Sequence, residues 1–315
     1  MQNHAATAPR GFFAARSWSQ WTSLLGVIAI HVATVVAIAR GVTWQLLALA
    51  AATYWIRMFA ITGAYHRYFS HRTYKTSRAF QFFLGLLGVM STQKGPLWWG
   101  ATHRHHHKHS DDELDPHSPA RKGFLMAHMG WWLAREWENT DEAAIADFAK
   151  YPELRFLDRF HLVGPALLML LCWLIAGSDG ILWGYVVSTC VLLHCTFTIN
   201  SLAHVFGSRR YATTDTSRNN VWLALLTMGE GWHNNHHHYM SSTRQGFFWW
   251  EIDATYYVLW LLSKVGLVWD LRGVPESALK RNLIADVGER CELLVPKPSA
   301  EPVAPPLPVS LADAE

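Results

Sequence analysis

Three histidine clusters, set between long apolar runs, constrain this chain more than any other feature. They read His66-Arg67-Tyr68-Phe69-Ser70-His71, then His103-Arg104-His105-His106-His107, then His233-Asn234-Asn235-His236-His237. A ninth histidine of interest, His204, follows Asn200 in Asn-Ser-Leu-Ala-His. Neutral imidazole is the commonest protein ligand for transition metals. One ion takes at most about six ligands, so His66, His71, His103, His106, His107, His204, His233, His236 and His237 imply two ions. Any fold of this chain must therefore bring three distant clusters to one place.

The apolar runs say where that place is. The 315 residues are 50% hydrophobic and only 16% charged, against roughly 25% charged in soluble domains. A run from Trp21 to Ala39 and a second from Val42 to about Ala64 each approach the roughly 20 residues that cross a bilayer. Only Arg40-Gly41 separates them, so they predict a helical hairpin. A second hairpin, Leu162 to Ala176 and Ile181 to Thr198, turns at Gly177-Ser178-Asp179-Gly180. Residues 79–90 are apolar but too short to span. The aromatic stretch Phe247–Trp269, with Glu251, Asp253 and Lys264 inside it, predicts an amphipathic helix at the interface. A fifth span there is the alternative.

The expected fold is all-α and membrane-integral, with four transmembrane helices in two hairpins. Four spans leave both termini and both histidine-rich segments on one side. Lys and Arg crowd those segments while the hairpin tips hold a single Arg, which makes that side cytoplasmic. Ala37-Ile38-Ala39 resembles a signal cleavage site, but the run is long for a signal peptide and another apolar helix follows at once. The tail from about Val295 is rich in Pro and Ala and reads as disordered. A net charge of +3 without a basic stripe argues against nucleic acid. The four cysteines form no CxxC pair, which argues against a disulfide framework or zinc ribbon.

The spacing within the clusters suits ligation. His103, His106 and His107 lie at i, i+3 and i+4, as do His233, His236 and His237, so each triplet shares a helix face. His66 and His71 are five apart, roughly 140° around an α-helix, which suits two different ions or a helix that ends between them. His31, His128, His161 and His194 lack partners at ligand spacing and read as structural. His105 points away from its cluster, and His117 sits in a turn-like Asp-Pro-His run beside the site. Structural zinc is tetrahedral and often uses Cys; nine imidazoles suit two octahedral ions such as iron better.

At these motifs the sequence resembles the membrane fatty-acyl desaturases, most closely the acyl-CoA (stearoyl-CoA-type) Δ9 branch. The resemblance rests on His66–Lys75, on His103–Lys108 with Asp115-Pro116-His117, on Asn200–His204, and on Glu230–His237. It implies a cytosolic helical domain capping the membrane helices and carrying two irons held by the nine histidines, with Asn200 holding a water on one of them. It implies residues 1–20 as a cytosolic segment and 21–275 as the desaturase domain, with spans about 21–39, 43–64, 162–177 and 181–200. Residues 276–315 form a C-terminal segment. The reaction implied is O₂-dependent insertion of a cis double bond, of Δ9 type, into a long-chain fatty-acyl substrate, a CoA thioester.

Two features depart from that pattern or extend it. The family's animal members carry an Arg-Asp pair before the second box that meets the CoA headgroup, and here Ala101 and Thr102 occupy those positions. Trp99 is kept, and Arg121 with Lys122 could bind phosphates. Trp98, Trp99, Trp222 and Trp232 are candidate walls of an acyl channel. The haem-binding His-Pro-Gly-Gly run does not occur, so a separate electron donor is expected, such as ferredoxin, rubredoxin or cytochrome b5 with its reductase. The expected setting is a bacterial inner membrane with the centre facing the cytoplasm. The rival readings are a related membrane hydroxylase or alkane monooxygenase, and a histidine-rich metal transporter.

Overall fold

The computed structural model describes residues 17–284, so the expected disorder after Val295 and most of the N-terminal segment lie outside the described residues. Helix α1, Trp18–Ala39, begins with a capping box in which Ser17 and Gln20 satisfy each other's backbone N–H groups. Gln20 also donates to the Leu133 carbonyl at 2.7 Å, tying this end of α1 to the polar segment. The outward row Leu25, Ile28, Val32 and Val35 is exposed, as a helix solvated by lipid requires. Helix α2, Trp44–Phe59, starts at an N-cap Thr43 and runs on into a π-helical segment, Ala60–Ser70.

Among the described residues, three helical stretches are long and apolar enough to cross a membrane: Gln20–Ala39, Trp44–Ser70 and Val163–His204. The last is not straight. Ala176 and Gly177 leave helical geometry, Gly177 at φ 59° and ψ −144°. A Cβ on Gly180 would touch the Cys172 carbonyl, and one on Gly184 the Cys172 sulfur. Residues 172 and 184 would stand about 18 Å apart on one straight helix, so the chain reverses at Gly177. The arms are α6, Val163–Gly180, and a π-helical turn, Ile181–Val187, leading into α7, Ser188–Ser201. Because α6 as bounded contains the reversal, its last residues already belong to the returning arm. Arg40 at one hairpin tip pairs with Asp179 at the other at 2.8 Å, and Trp183 donates to the Gly41 carbonyl at 3.3 Å. Both tips therefore sit together at the end away from the histidines.

Between the hairpins, α3 (Arg78–Val89) and α4 (Pro96–His109) pack on the π-helical segment, and α5 (Pro152–Arg159) packs on α3 and α4. Tyr65, Phe69, Leu84, Leu97, Leu154 and Leu157 are buried together; each such aliphatic or Phe side chain contributes about 1.5–3 kcal/mol on leaving water. Pro96 suits the first turn of α4, where no backbone donor is needed. Asp158 on α5 accepts from the backbone N–H of Leu97 at 3.0 Å and of Trp98 at 2.9 Å. That remote carboxylate caps α4 and aims its histidines.

Two expectations are corrected. The aromatic stretch is not one helix over 247–269. Its helix, α8, is Ala254–Lys264, because Asp253 is a buried N-cap that accepts from Tyr256 N at 3.0 Å. The chain is also not purely helical: Lys75–Thr76 pairs antiparallel with Val268–Trp269.

Gly177 generates the fold's first test. Its φ and ψ lie where side-chain-bearing residues are strained, so Gly177→Ala is expected to cost about 1–3 kcal/mol. Thermal unfolding in detergent should show the corresponding fall in melting temperature, with Gly26→Ala on the open face of α1 unaffected.

Candidate metal centre

The nine histidines converge as two groups, and the partition differs from the one the spacing suggests. His66, His71, His103, His107 and His236 place one ligand atom each within 4.8 Å of one another, and His106, His204, His233 and His237 do the same. Each triplet is split between the groups, which yokes α4 and the short helix His233–His238 to both. His66 and His71 fall in the same group rather than in two. The reason is the π-helical winding before them: His71 N donates to the His66 carbonyl at 3.2 Å, an i to i+5 bond. Five residues then make about one turn, and the two rings lie 4.8 Å apart.

The imidazoles face inward through Nε2. Nε2 atoms of His66 and His236 are 3.0 Å apart, of His71 and His103 3.0 Å, of His107 and His236 2.9 Å, and of His204 and His233 3.1 Å. Desolvation within the cluster, and then neighbouring rings, hold His71, His103, His107, His233 and His236 well below the usual histidine range. Neutral rings leave lone pairs for a cation. Buried Nε2 atoms of His106 and His237 have no protein partner at all.

Carboxylates stand behind four of the rings. Nδ1 of His66 meets Glu230 at 2.5 Å, of His106 meets Asp115 at 3.0 Å, of His204 meets Asp111 at 3.5 Å, and of His237 meets Asp215 at 2.6 Å. A carboxylate on Nδ1 fixes the tautomer so that Nε2 is the ligand nitrogen. Burial would raise these acids. Facing histidines and hydroxyl or backbone donors outweigh it and keep Asp111, Asp115 and Asp215 well below the usual carboxylate range. None of the four was given a role from sequence, although Asp115 and Glu230 lie in stretches that carry the resemblance. Asp115 adjoins the second cluster, but Asp215 lies 22 residues from His237 and carries no spacing signal.

A small cavity adjoins the five-histidine group, lined by Gln93, Trp98, Trp99, His103, Thr196 and Asn200 among others. Trp99 stacks on His103 at 4.9 Å. Of the four tryptophans expected to wall an acyl channel, Trp98 and Trp99 do line this cavity. Trp222 is 73% exposed on the opposite kind of surface, and Trp232 is buried elsewhere, donating to the Ile252 carbonyl. Ala101 and Thr102 are buried within α4, and Thr102 lines this cavity. Arg121 is exposed and donates to the Asp111 carbonyl at 3.0 Å, with Lys122 beside it half-buried. His117 packs on His106, with ring centres 4.3 Å apart. His238 instead stacks on Tyr211 at 3.9 Å, away from the groups.

One arginine locks the centre to its frame. Arg67 is 1% exposed and binds Asp253 at 2.9 Å, Glu230 at 3.1 Å and the Thr243 carbonyl at 2.8 Å. Since Glu230 also holds His66, this network sets the first cluster against the third. Arg67→Met would strand two buried carboxylates, and losing one partner of a buried pair costs about 3–5 kcal/mol. The expected outcome is a large loss of folded protein in detergent, read by thermal unfolding, which the double variant with Asp253→Asn partly restores.

The fatty acid desaturase family profile matches residues 42–273. The chain is similar to the sn-1 stearoyl-lipid 9-desaturase of Anabaena variabilis, at 36% identity over 80% of this chain and 93% of the relative. It is also similar to the Delta-9 acyl-lipid desaturase 2 of Arabidopsis thaliana, at 36% over 76% of this chain and 79% of the relative. A third relative is the acyl-CoA C20 Delta5-desaturase of Anemone leveillei, at 36% over 72% of this chain and 73% of the relative. The histidine geometry and these likenesses agree: the chain belongs to the fatty acid desaturase family, a family of oxidoreductases.

Proposed function

We propose that this chain is a Δ9 desaturase of saturated long-chain acyl groups, working at a di-iron centre held by the nine histidines. The observation that carries the reading is the convergence of inward-facing imidazoles, in groups of five and four, with a carboxylate behind four of them. Such a set fits two transition ions, and imidazole suits iron. His66, His71, His103, His107 and His236 would hold one ion. His106, His204, His233 and His237 would hold the other, and Asn200 would hold a water on one of the two.

Two irons bound there would supply the oxidising power to take hydrogen from unactivated methylenes, using O₂ and two electrons from a separate protein donor. The balance is one saturated chain, one O₂, two electrons and two protons in, and one olefin and two waters out. The protein's share is positioning. Trp98, Trp99 and Phe197 line the cavity next to His103 and give it apolar walls for adjacent methylenes. We read the two hairpins as four membrane crossings, with the tips joined by Arg40 and Asp179 on the far side. The acyl chain would then reach the centre from the bilayer without leaving an apolar path. For the carrier we favour a membrane-lipid ester over the CoA thioester expected from sequence. The Arg-Asp pair of the animal members is replaced by buried Ala101 and Thr102, and two of the three relatives reported above are named for lipid-linked chains, the third for an acyl-CoA.

Expression in a host lacking Δ9 unsaturation should yield a cis Δ9 olefin in the host lipids, located by gas chromatography of derivatised chains. Hydroxylated chains without olefin would overturn the reading in favour of a hydroxylase. Purified protein with O₂, reductant and donor should act on stearoyl phospholipid and turn over stearoyl-CoA poorly; the reverse preference would restore the CoA assignment. Asp215→Asn should lower iron affinity about 10–100-fold. Metal analysis after graded chelation reads that loss.

A further inference from the structure

Within the membrane-spanning part, a further cluster of ligating atoms lies outside the two histidine groups. His31 on α1 and Cys190 and His194 on α7 place one ligand atom each within 4.8 Å of one another. Cys190 and His194 are i and i+4, so one helix face presents both. An ionisable side chain inside a span is costly unless it meets a partner or serves a site.

The hydrogen bonds around the two rings bring their Nε2 atoms face to face. His31 Nδ1 lies 2.7 Å from the Val27 carbonyl, which only accepts, so Nδ1 carries the hydrogen and Nε2 of the neutral ring is a lone pair. On the other side, the Ser201 hydroxyl can turn to the Phe197 carbonyl at 3.0 Å or to His128 Nδ1 at 2.9 Å. Turned to Phe197, it receives from His128 Nδ1, His128 Nε2 accepts from His194 Nδ1 at 3.0 Å, and His194 Nε2 is a lone pair as well. The two Nε2 atoms lie 2.9 Å apart. In that tautomer a cation joins the two lone pairs; with the hydroxyl turned to His128, His194 Nε2 donates to His31 instead. The same Nε2-to-Nε2 approach, 2.9–3.1 Å, marks the ligand pairs of the main centre.

We infer that His31, Cys190 and His194 form a third metal site, for a thiophilic ion of the zinc class. Two imidazoles and a thiolate are the donors such an ion takes. The Val27 carbonyl and the His128 ring behind the ligands fix their tautomers, as metal-bound histidines require. Cys190 would bind as the thiolate, its proton released to solvent on binding. The site would clip α1 to α7. That matters because α1 is exposed along much of its length.

The test uses the purified full chain in detergent, loaded with iron and then with zinc alone, and dialysed. The wild type should retain one zinc equivalent beyond the ions of the main centre. Cys190→Ser and His194→Phe should each lose that equivalent while keeping their iron, which also shows that they fold. Removing the zinc should lower the melting temperature of the wild type and leave that of the variants unmoved. Independently, cobalt(II) in place of zinc should give wild-type protein a thiolate-to-cobalt charge-transfer band that Cys190→Ser lacks. A wild-type cobalt protein without the band, or a band that persists in Cys190→Ser, would overturn the site. So would a zinc count equal in wild type and variants, which would leave His31 and His194 sharing a proton instead.

Discussion

Four buried carboxylates, each set against the Nδ1 of an inward-facing imidazole, are the interaction on which this architecture turns. Glu230, Asp111, Asp115 and Asp215 orient His66, His204, His106 and His237, so that the opposite nitrogens point to common centres. Burying an acid is expensive unless its charge is hydrogen-bonded. Each of these is: Asp111 accepts from Ser118 and from Thr216, Asp115 from the backbone of Asp111 and His117, and Asp215 from Ser217. The loops between the helices are therefore ordered by the same groups that order the ligands. Disturbing a loop here reaches the centre directly.

The membrane part obeys the same rule in a less forgiving solvent. Arg57 interrupts the second apolar run, yet it is 1% exposed and donates to Ser188 and Thr189 at 2.6 Å and to the Thr53 carbonyl at 3.0 Å. Its charge joins α2 to α7, so the residue that weakens one span as an apolar run strengthens the packing of two. Arg67 does the equivalent at the rim, binding acids from two separate loops. The polar residues inside this fold are thus cross-links between elements, and the apolar surface is left to lipid.

Much of the site was legible because ligands must be of a few residue types at helical spacing. The nine histidines and the apolar runs carry that pattern in the chain itself. The grouping of His66 with His71 was not legible, since the angle between them depends on winding. A five-residue interval splays them on an α-helix and stacks them on a π-helix, and the winding is set by packing against α3 and α4. The carboxylates were missed for a different reason. An Asp 22 residues from its histidine has no periodic relation to it, and acids in polar loops are usually solvated. The shortened helix at Ala254 came from Asp253, which caps the helix and pairs with Arg67; a charge within an aromatic stretch suggested an exposed face instead.

What the chain by itself determined is its chemistry and its solvent: imidazoles enough for two ions, and apolar runs that must leave water. These follow from residue type and local periodicity, which need no knowledge of distant neighbours. The tertiary structure decided the partition of the ligands into five and four, the acids that hold them, and the meeting of His31, Cys190 and His194 across two membrane helices. Each depends on side chains brought together from separate elements, and close packing alone determines which of them meet.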